Sequence, residues 1–236
     1  MDYITDFSYI DDLIDHKGVR NAVIDVDNTI TKSNIVQFYL FIKKQELGEK
    51  LWPLYFSSFV LRAPYFLVLD AVSRDAFNKL FVLRKFKKYS YAQLEHYSKL
   101  FFEKTLKEKF ISFTHDLIFH LKEKGVHVEL LSTNFDLLVK QYGQYFDVPY
   151  RCLNVKPEGN GVTIDFSNLD GFKSREIAKF DPAVTLSIGD SKYDLPALNH
   201  VDYPFVVAKK DEKWMGQINK EPRFIKADII QIGETL

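Results

Sequence analysis

The chain has 236 residues, 46% hydrophobic and 15% aromatic, which is enough to bury a sizeable core in one large domain or in a core domain with an insertion, and argues against disorder. Lys+Arg and Asp+Glu are both 32, so the formal net charge is zero and nothing in it points to nucleic acid or another polyanion as partner. One cysteine, Cys152, excludes a disulfide framework within the chain and fits a reducing compartment.

The opening MDYITDFSYIDDLIDH is acidic and lacks an apolar signal core, which predicts no export signal and a cytoplasmic location. Residues 20–26, RNAVIDV, read as a short buried parallel strand. Residues 35–105 are helical in pattern and rich in Phe, Leu and Tyr. Within them, 51–72 (LWPLYFSSFVLRAPYFLVLDAV) is long and apolar, but Arg62 and Pro64 sit at its middle, and a central arginine is costly in a bilayer. The expectation is a pair of helices broken near Pro64 and packed in a helical module, with a membrane-docking surface as the alternative. Residues 108–124 place Phe110, Thr114, Leu117, Ile118 and Leu121 on one helical face, and Gly125 is a C-cap candidate. A second strand follows at 126–133, VHVELLST, and then a helical NFDLLVKQYGQYF. Residues 151–171 hold Gly159, Asn160 and Gly161 between two β-like runs, which predicts a hairpin. A third core strand is VTLSIGD at 184–190, with a short helix near DLPALNH, and a fourth is PFVVAK near 204–209.

Strands alternating with helices predict an α/β fold with a Rossmann-like open parallel sheet and right-handed crossovers. A βαβ connection needs about 10–12 residues or somewhat more. The stretch between the first two strands is far longer, so residues 35–105 are expected to form an inserted α-helical cap domain on a core made of 1–34 and 106–236.

Ligands of open α/β sheets bind outside the carboxyl ends of the strands. The first strand ends in IDVDNTIT, where Asp25 and Asp27, two residues apart, can both face that crevice. Asp25 suits a nucleophile that attacks phosphorus and forms an aspartyl-phosphate. Asp27 suits the general acid for the leaving alkoxide and then the base for the hydrolytic water. A plain Asp-Asn turn is the alternative. The second strand ends in LLSTN, where the Ser132 hydroxyl and the N–H groups of Thr133 and Asn134, at a helix start, can hold a phosphate oxygen; an ordinary N-cap serine is the competing reading. Lys173, in LDGFKSREIAKF, can neutralise phosphate and Asp25, with Lys179 a weaker candidate and a solvated charged face the alternative. The third core strand ends in GDSKYD. Asp25, the backbone carbonyl of Asp27, and Asp190 offer the hard oxygen ligands magnesium prefers, with Asp194 behind them orienting ligands or Lys173; an acidic turn is the alternative.

Taken in order, Asp-x-Asp-x-Thr, Ser, Lys and Gly-Asp-Ser-x-x-Asp resemble the haloacid-dehalogenase-like (HAD) superfamily of phosphohydrolases over residues 20 to about 208. The inserted helices look like a type-one cap. With the hairpin before Lys173 and the DLPAL after Asp190, they are closest to the phosphoserine-phosphatase-like branch. The resemblance implies a magnesium-dependent phosphatase with Asp25 as nucleophile, Asp27 as acid/base, Thr29 supporting the loop, Ser132 and Lys173 binding phosphate, Asp190 on the metal and Asp194 supporting it. Asn28 stands where glycine is usual, and Asn tolerates similar backbone angles. Tyr193 stands where phosphoserine phosphatases usually carry Asn, which puts phosphoserine as substrate in doubt. Within the superfamily, an acid at Asp27 favours phosphomonoester hydrolysis or phosphomutase chemistry over dehalogenation.

The expected substrate is a small organic phosphate ester with an apolar or mixed leaving group, since residues 35–105 are aromatic and aliphatic. Arg62, Arg74 and Arg84 are available to meet an anion, and Arg74 is the leading candidate for substrate contact. The six histidines show no metal-ligand spacing. The rival readings are a phosphate-accepting signalling or binding module on the same scaffold, and a membrane-docked protein that uses residues 51–72.

Overall fold

In the computed structural model, which describes residues 3–72, 77–166, 169 and 171–230, nine strands fall into two sheets. The larger contains β1 (Tyr3–Ile4), β2 (Asn21–Ile24), β3 (His127–Phe135), β4 (Tyr150–Leu153), β7 (Thr185–Gly189), β8 (Tyr203–Ala208) and β9 (Arg223–Lys226) in the order β1-β9-β8-β7-β2-β3-β4. Every pairing in it is parallel. The smaller is the antiparallel hairpin of β5 (Val155–Glu158) and β6 (Gly161–Ile164), as the Gly-Asn-Gly run predicts.

β2 pairs with β3 on one edge and β7 on the other, and its side chains divide by the pleat between two buried faces. Ala22 and Ile24 join the main core with Ile10 and Leu13 of α1 (Ser8–Lys17). Val23 faces the other way, into a cluster with Ile177 and Ala197. A sheet with helices on both faces follows, the α/β class expected.

Between β2 and β3 the chain is almost wholly helical. α2 spans Ile35–Val72, and its break is at Gly48 rather than near Pro64. Gly48 has φ 65° and ψ 176°, a conformation essentially closed to other residues. Pro64 forfeits one N–H and penalises a helix by about 3 kcal/mol. Ring contacts of Phe59 with Phe66 (6.4 Å) and of Phe66 with Phe81 (4.9 Å) hold the run together across it. A π-helical stretch (Asn78–Leu83) leads to α3 (Tyr91–Phe101), whose start is fixed by a Ser90–Gln93 capping box. Among the described residues no helix is long and apolar enough to cross a membrane.

α4 (Ser112–Glu123) buries Thr114, Leu117, Ile118 and Leu121. Gly125 (φ 76°) ends it in a Schellman motif, with Gly125 N–H donating to the Lys122 carbonyl and Val126 N–H to that of Leu121, each at 2.9 Å. Three further helices follow: α5 (Asp136–Phe146), α6 (Phe172–Ile177) and α7 (Leu195–His200).

Among its contacts with the rest of the chain, the helical insertion meets both β3 and the hairpin. Phe86 meets Phe135 edge-on at 5.1 Å. The hairpin approaches backbone to backbone: Val162 N–H donates to the Lys87 carbonyl at 3.3 Å, and a Cβ on Gly161 would lie 1.9 Å from that oxygen. Only glycine permits the approach.

Candidate active site

The backbone of β2 continues its pairing one residue beyond the strand, where Asp25 N–H donates to the Ile188 carbonyl at 2.9 Å. The chain then reverses tightly. Asn28 adopts φ 56°, the left-handed region that Asn tolerates, and its N–H donates to the Thr31 carbonyl at 2.7 Å. That turn carries Thr29 back to Asp25, and its hydroxyl donates to Asp25 Oδ2 at 3.1 Å. The other carboxylate oxygen, Oδ1, accepts from Lys173 Nζ at 2.6 Å.

Lys173 enters from the first turn of α6, after Gly171 (φ 68°). It is 7% exposed and donates also to Asp194 Oδ1. Asp194 belongs to the 3-10 turn after β7. Its Oδ2 accepts from Asp190 N–H (3.1 Å), Ser191 N–H (3.0 Å) and the Ser191 hydroxyl (2.9 Å). Asp194 thus ties the β7 loop to Lys173. Carboxylate oxygens of Asp25, Asp190 and Asp194 lie within 4.8 Å of one another.

Crowding three acids has an electrostatic result. Burial, opposed by Lys173 and reinforced by Asp194, pushes the Asp25 carboxyl up to about 6. Burial, then repulsion from Asp25 and Asp194, pushes Asp190 up to about 9. Burial would lower the Lys173 ammonium, but Asp194 and Asp25 outweigh it and hold it above the usual lysine range.

Asp27 is more accessible, and Asn134 Nδ2 donates to both of its carboxylate oxygens, at 3.1 and 2.9 Å. Asn134 is therefore engaged with the acid. β3 also runs on to Phe135, so Ser132 is not at its tip and Thr133 and Asn134 do not start a helix: α5 begins at Asp136. The irregular pairing of β3 with β4 between Leu131 and Phe135 accompanies this extension. Ser132 is 2% exposed and its Oγ accepts from Asn134 N–H at 3.1 Å; Thr133 lines a small cavity with Asp27 and Asn134. Lys179 is exposed and pairs with Glu176, away from the acids, and Arg74 lies outside the described residues. Tyr142, from α5, has no counterpart in the motif reading. Its hydroxyl meets the Thr31 hydroxyl at 2.6 Å, and burial, then the charges of Asp27 and Asp25, raise it above the usual tyrosine range.

Gly189 makes the arrangement possible, because a Cβ there would lie 2.5 Å from the Asp194 Cβ and 2.9 Å from its Oδ2. Gly189→Ala is expected to displace the Asp194 carboxylate from Lys173 and to lower the melting temperature, by about 4–8 °C per kcal/mol in a small domain and less in a chain this long. Thermal denaturation beside Gly216→Ala, where a Cβ meets nothing within 4 Å, checks it.

Residues 22–199 match the family described as haloacid dehalogenase-like hydrolase. No curated protein matches the chain in sequence. Among solved structures, a protein of unknown function from Bordetella pertussis Tohama I superposes with TM-score 0.68 at 13% identity, covering 89% of this chain and 99% of its own. A phospho-aspartyl intermediate analogue of phosphoserine phosphatase gives 0.60 at 13% identity, covering 89% and 94%. A phosphoserine phosphohydrolase-like protein from Francisella tularensis subsp. tularensis SCHU S4 gives 0.58 at 17% identity, covering 86% and 94%. These likenesses are likenesses of fold.

Proposed function

Because the chain belongs to the haloacid dehalogenase-like hydrolase family, we propose that it is a magnesium-dependent phosphatase that hydrolyses a phosphomonoester through an aspartyl-phosphate on Asp25. The observation that carries the reading is the buried Asp25–Lys173–Asp194 network at the carboxyl ends of β2 and β7, with Asp27 beside it held by Asn134. The fold shared with a phosphoserine phosphatase described as a phospho-aspartyl intermediate analogue supports it.

Asp25 attacks phosphorus with one carboxylate oxygen, and the bond from phosphorus to the ester oxygen breaks. Asp27 gives its proton to the departing alkoxide. Water then loses a proton to Asp27 and attacks the same phosphorus, which releases inorganic phosphate and regenerates the Asp25 carboxylate. Asn134 aims Asp27 in both halves. Lys173 offsets the negative charge that gathers on phosphate and Asp25, while Ser132 and Thr133 bind phosphate oxygens. Residues 35–105 act as a cap over this site on a core of 1–34 and 106–236. A cap excludes water from the charged centre.

The donor set fits a hard divalent cation. Burial and Asp194 raise Asp25, and burial, Asp25 and Asp194 raise Asp190, a crowding of negative charge that a bound cation relieves. Asp25, Asp190 and the Asp27 carbonyl would hold magnesium, which would supply charge neutralisation where phosphate meets carboxylate. Hydrolysis of p-nitrophenyl phosphate and a metabolite-phosphate panel, with EDTA and with magnesium restored, tests the reading. Turnover should stop and return. Full activity in rigorously metal-free protein refutes the magnesium requirement. A phosphate-accepting module would show no turnover at all.

Asp27 gives a sharper expectation. An alkyl phosphate leaves as a basic alkoxide and needs a proton, whereas p-nitrophenolate needs little help. Asp27→Asn should therefore slow alkyl phosphate cleavage by about 10²–10⁴-fold and the aryl phosphate much less. Single-turnover measurement of phosphorylation on both substrates decides, and equal losses would make Asp27 structural.

A further inference from the structure

α2 beyond Gly48 is apolar on both of its faces. Its inner face packs Tyr55, Phe59, Phe66 and Leu69 on the core. Its outer face carries Leu54, Leu61, Tyr65, Val68 and Val72 at helical spacing, 76%, 84%, 60%, 63% and 80% exposed. A contiguous exposed apolar patch of this kind marks an interaction surface.

Its surroundings are cationic. Arg62, Arg84 and Lys85 line one hollow with Tyr65, beside the stripe. Their closeness has an electrostatic trace: Lys85 is held below the usual lysine range by partial burial and then by repulsion from Arg62 and Arg84. Residues 51–69 include no acid, and Asp70 is the one acid within the span of the stripe. An apolar stripe flanked by cations complements an anionic lipid surface, where the stripe meets acyl chains and the cations meet headgroups. A helix interrupted by Arg62 and packed on one side against protein lies along such a surface and does not cross it.

The same helix connects this face to the catalytic acid. A cavity of about 220 Å³ is lined by Asp27 and Ile35 at one end and by Phe59, Phe66, Phe81 and Leu67 beyond. Leu67 is 70% exposed and adjoins Val68 of the outer stripe. A leaving group that extends past Asp27 meets rings and methyls, and the exposed Leu67 puts part of the cavity lining at the surface beside the outer stripe.

We propose that α2 docks on an anionic membrane surface and that the substrate is a phosphate monoester of a lipophilic alcohol drawn from it, its apolar tail entering the cavity beside Asp27. The substrate half rests on the phosphatase reading. Hydrolysis consumes one water, leaves the alcohol in the bilayer and releases inorganic phosphate.

The test uses the full chain and three measurements. Co-sedimentation with phosphatidylglycerol/phosphatidylcholine vesicles should capture the protein, pure phosphatidylcholine should capture less, and added salt should weaken capture. The combined variant Leu54→Ser, Leu61→Ser, Val68→Ser, all on the exposed stripe, should lose at least about tenfold in vesicle affinity while cleaving p-nitrophenyl phosphate as the parent does. On n-alkyl phosphates from butyl to dodecyl, kcat/KM should rise by up to about fourfold per methylene until the cavity is filled. Cleavage of p-nitrophenyl phosphate with no vesicle binding and a flat chain-length profile overturns the proposal and leaves the phosphatase reading standing. Vesicle binding with a flat profile overturns the substrate class. Binding with no phosphatase activity on any ester refutes the enzymatic reading and keeps the docking face. A dimer that the triple variant converts to monomer, without vesicle binding, assigns the stripe to a second copy of the chain and overturns docking.

Discussion

Asp25→Asn is expected to fold and to be inert. The amide keeps an oxygen that can accept from Thr29 or Lys173, and Lys173 retains Asp194. The substitution also removes a carboxylate that burial and Asp194 disfavour, so the melting temperature of the metal-free protein should hold or rise. Chemistry fares differently, because an amide oxygen cannot form the covalent intermediate. Turnover should fall by at least about 10⁴-fold, as removing a nucleophile typically does. Kinetics on p-nitrophenyl phosphate paired with a melting curve decide it, and near-parental activity in a folded variant would refute the covalent mechanism.

Lys173→Met should damage both stability and rate. Methionine fills similar volume but leaves Asp25 and Asp194 buried without their cation. Breaking a buried pair from one side typically costs about 3–5 kcal/mol. Losing a charged donor at phosphate adds about 10²–10³-fold in kcat. The stability loss depends on pH with a definite sign. Asp25 already sits up at about 6, and without Lys173 it rises further. A carboxyl raised on folding takes up a proton in the native state, so stability falls as pH climbs from the ordinary carboxylate range through the raised value. The deficit against the parent should therefore be larger at pH 8 than at pH 5. Denaturant unfolding at both values reads it, and a deficit independent of pH would mean that the lysine stem, not its charge, is what matters.

The parts of this site that the sequence discloses are those written locally. Asp25, Asp27 and Thr29 share one turn, and Asp190 and Asp194 share another, each at the end of an apolar run that reads as a strand. Lys173 is legible only jointly with them. The partner of Asp27 is not legible, because Asn134 reaches it across the sheet and its own neighbours suggest only a helix start. The extension of β3 hides for the same reason: it depends on pairing with β4, a short strand within a segment read as hairpin. Tyr142 leaves no signal, since a tyrosine on an amphipathic helix is ordinarily core. Pro64 misleads because proline disrupts a helix locally, whereas contacts of Phe66 with distant Phe81 decide whether the helix survives.

The order of strands in the sheet carries a kinetic consequence. Among the described residues β1 pairs only with β9, Tyr3 beside Phe224 and Ile4 beside Ile225, so a strand made at the start waits for one made more than 200 residues later. β2 likewise waits for β3 and β7 across the whole helical insertion. Closing such long loops precedes the contacts that reward it, which makes parallel sheets of this connectivity slow to form. While a ribosome is still extending the chain, the N-terminal strands and the apolar α2 are exposed together. Refolding from denaturant should accordingly be slow and concentration-sensitive, and removing residues from 222 onward should strand β1 without a partner and leave β8 as an open edge for aggregation.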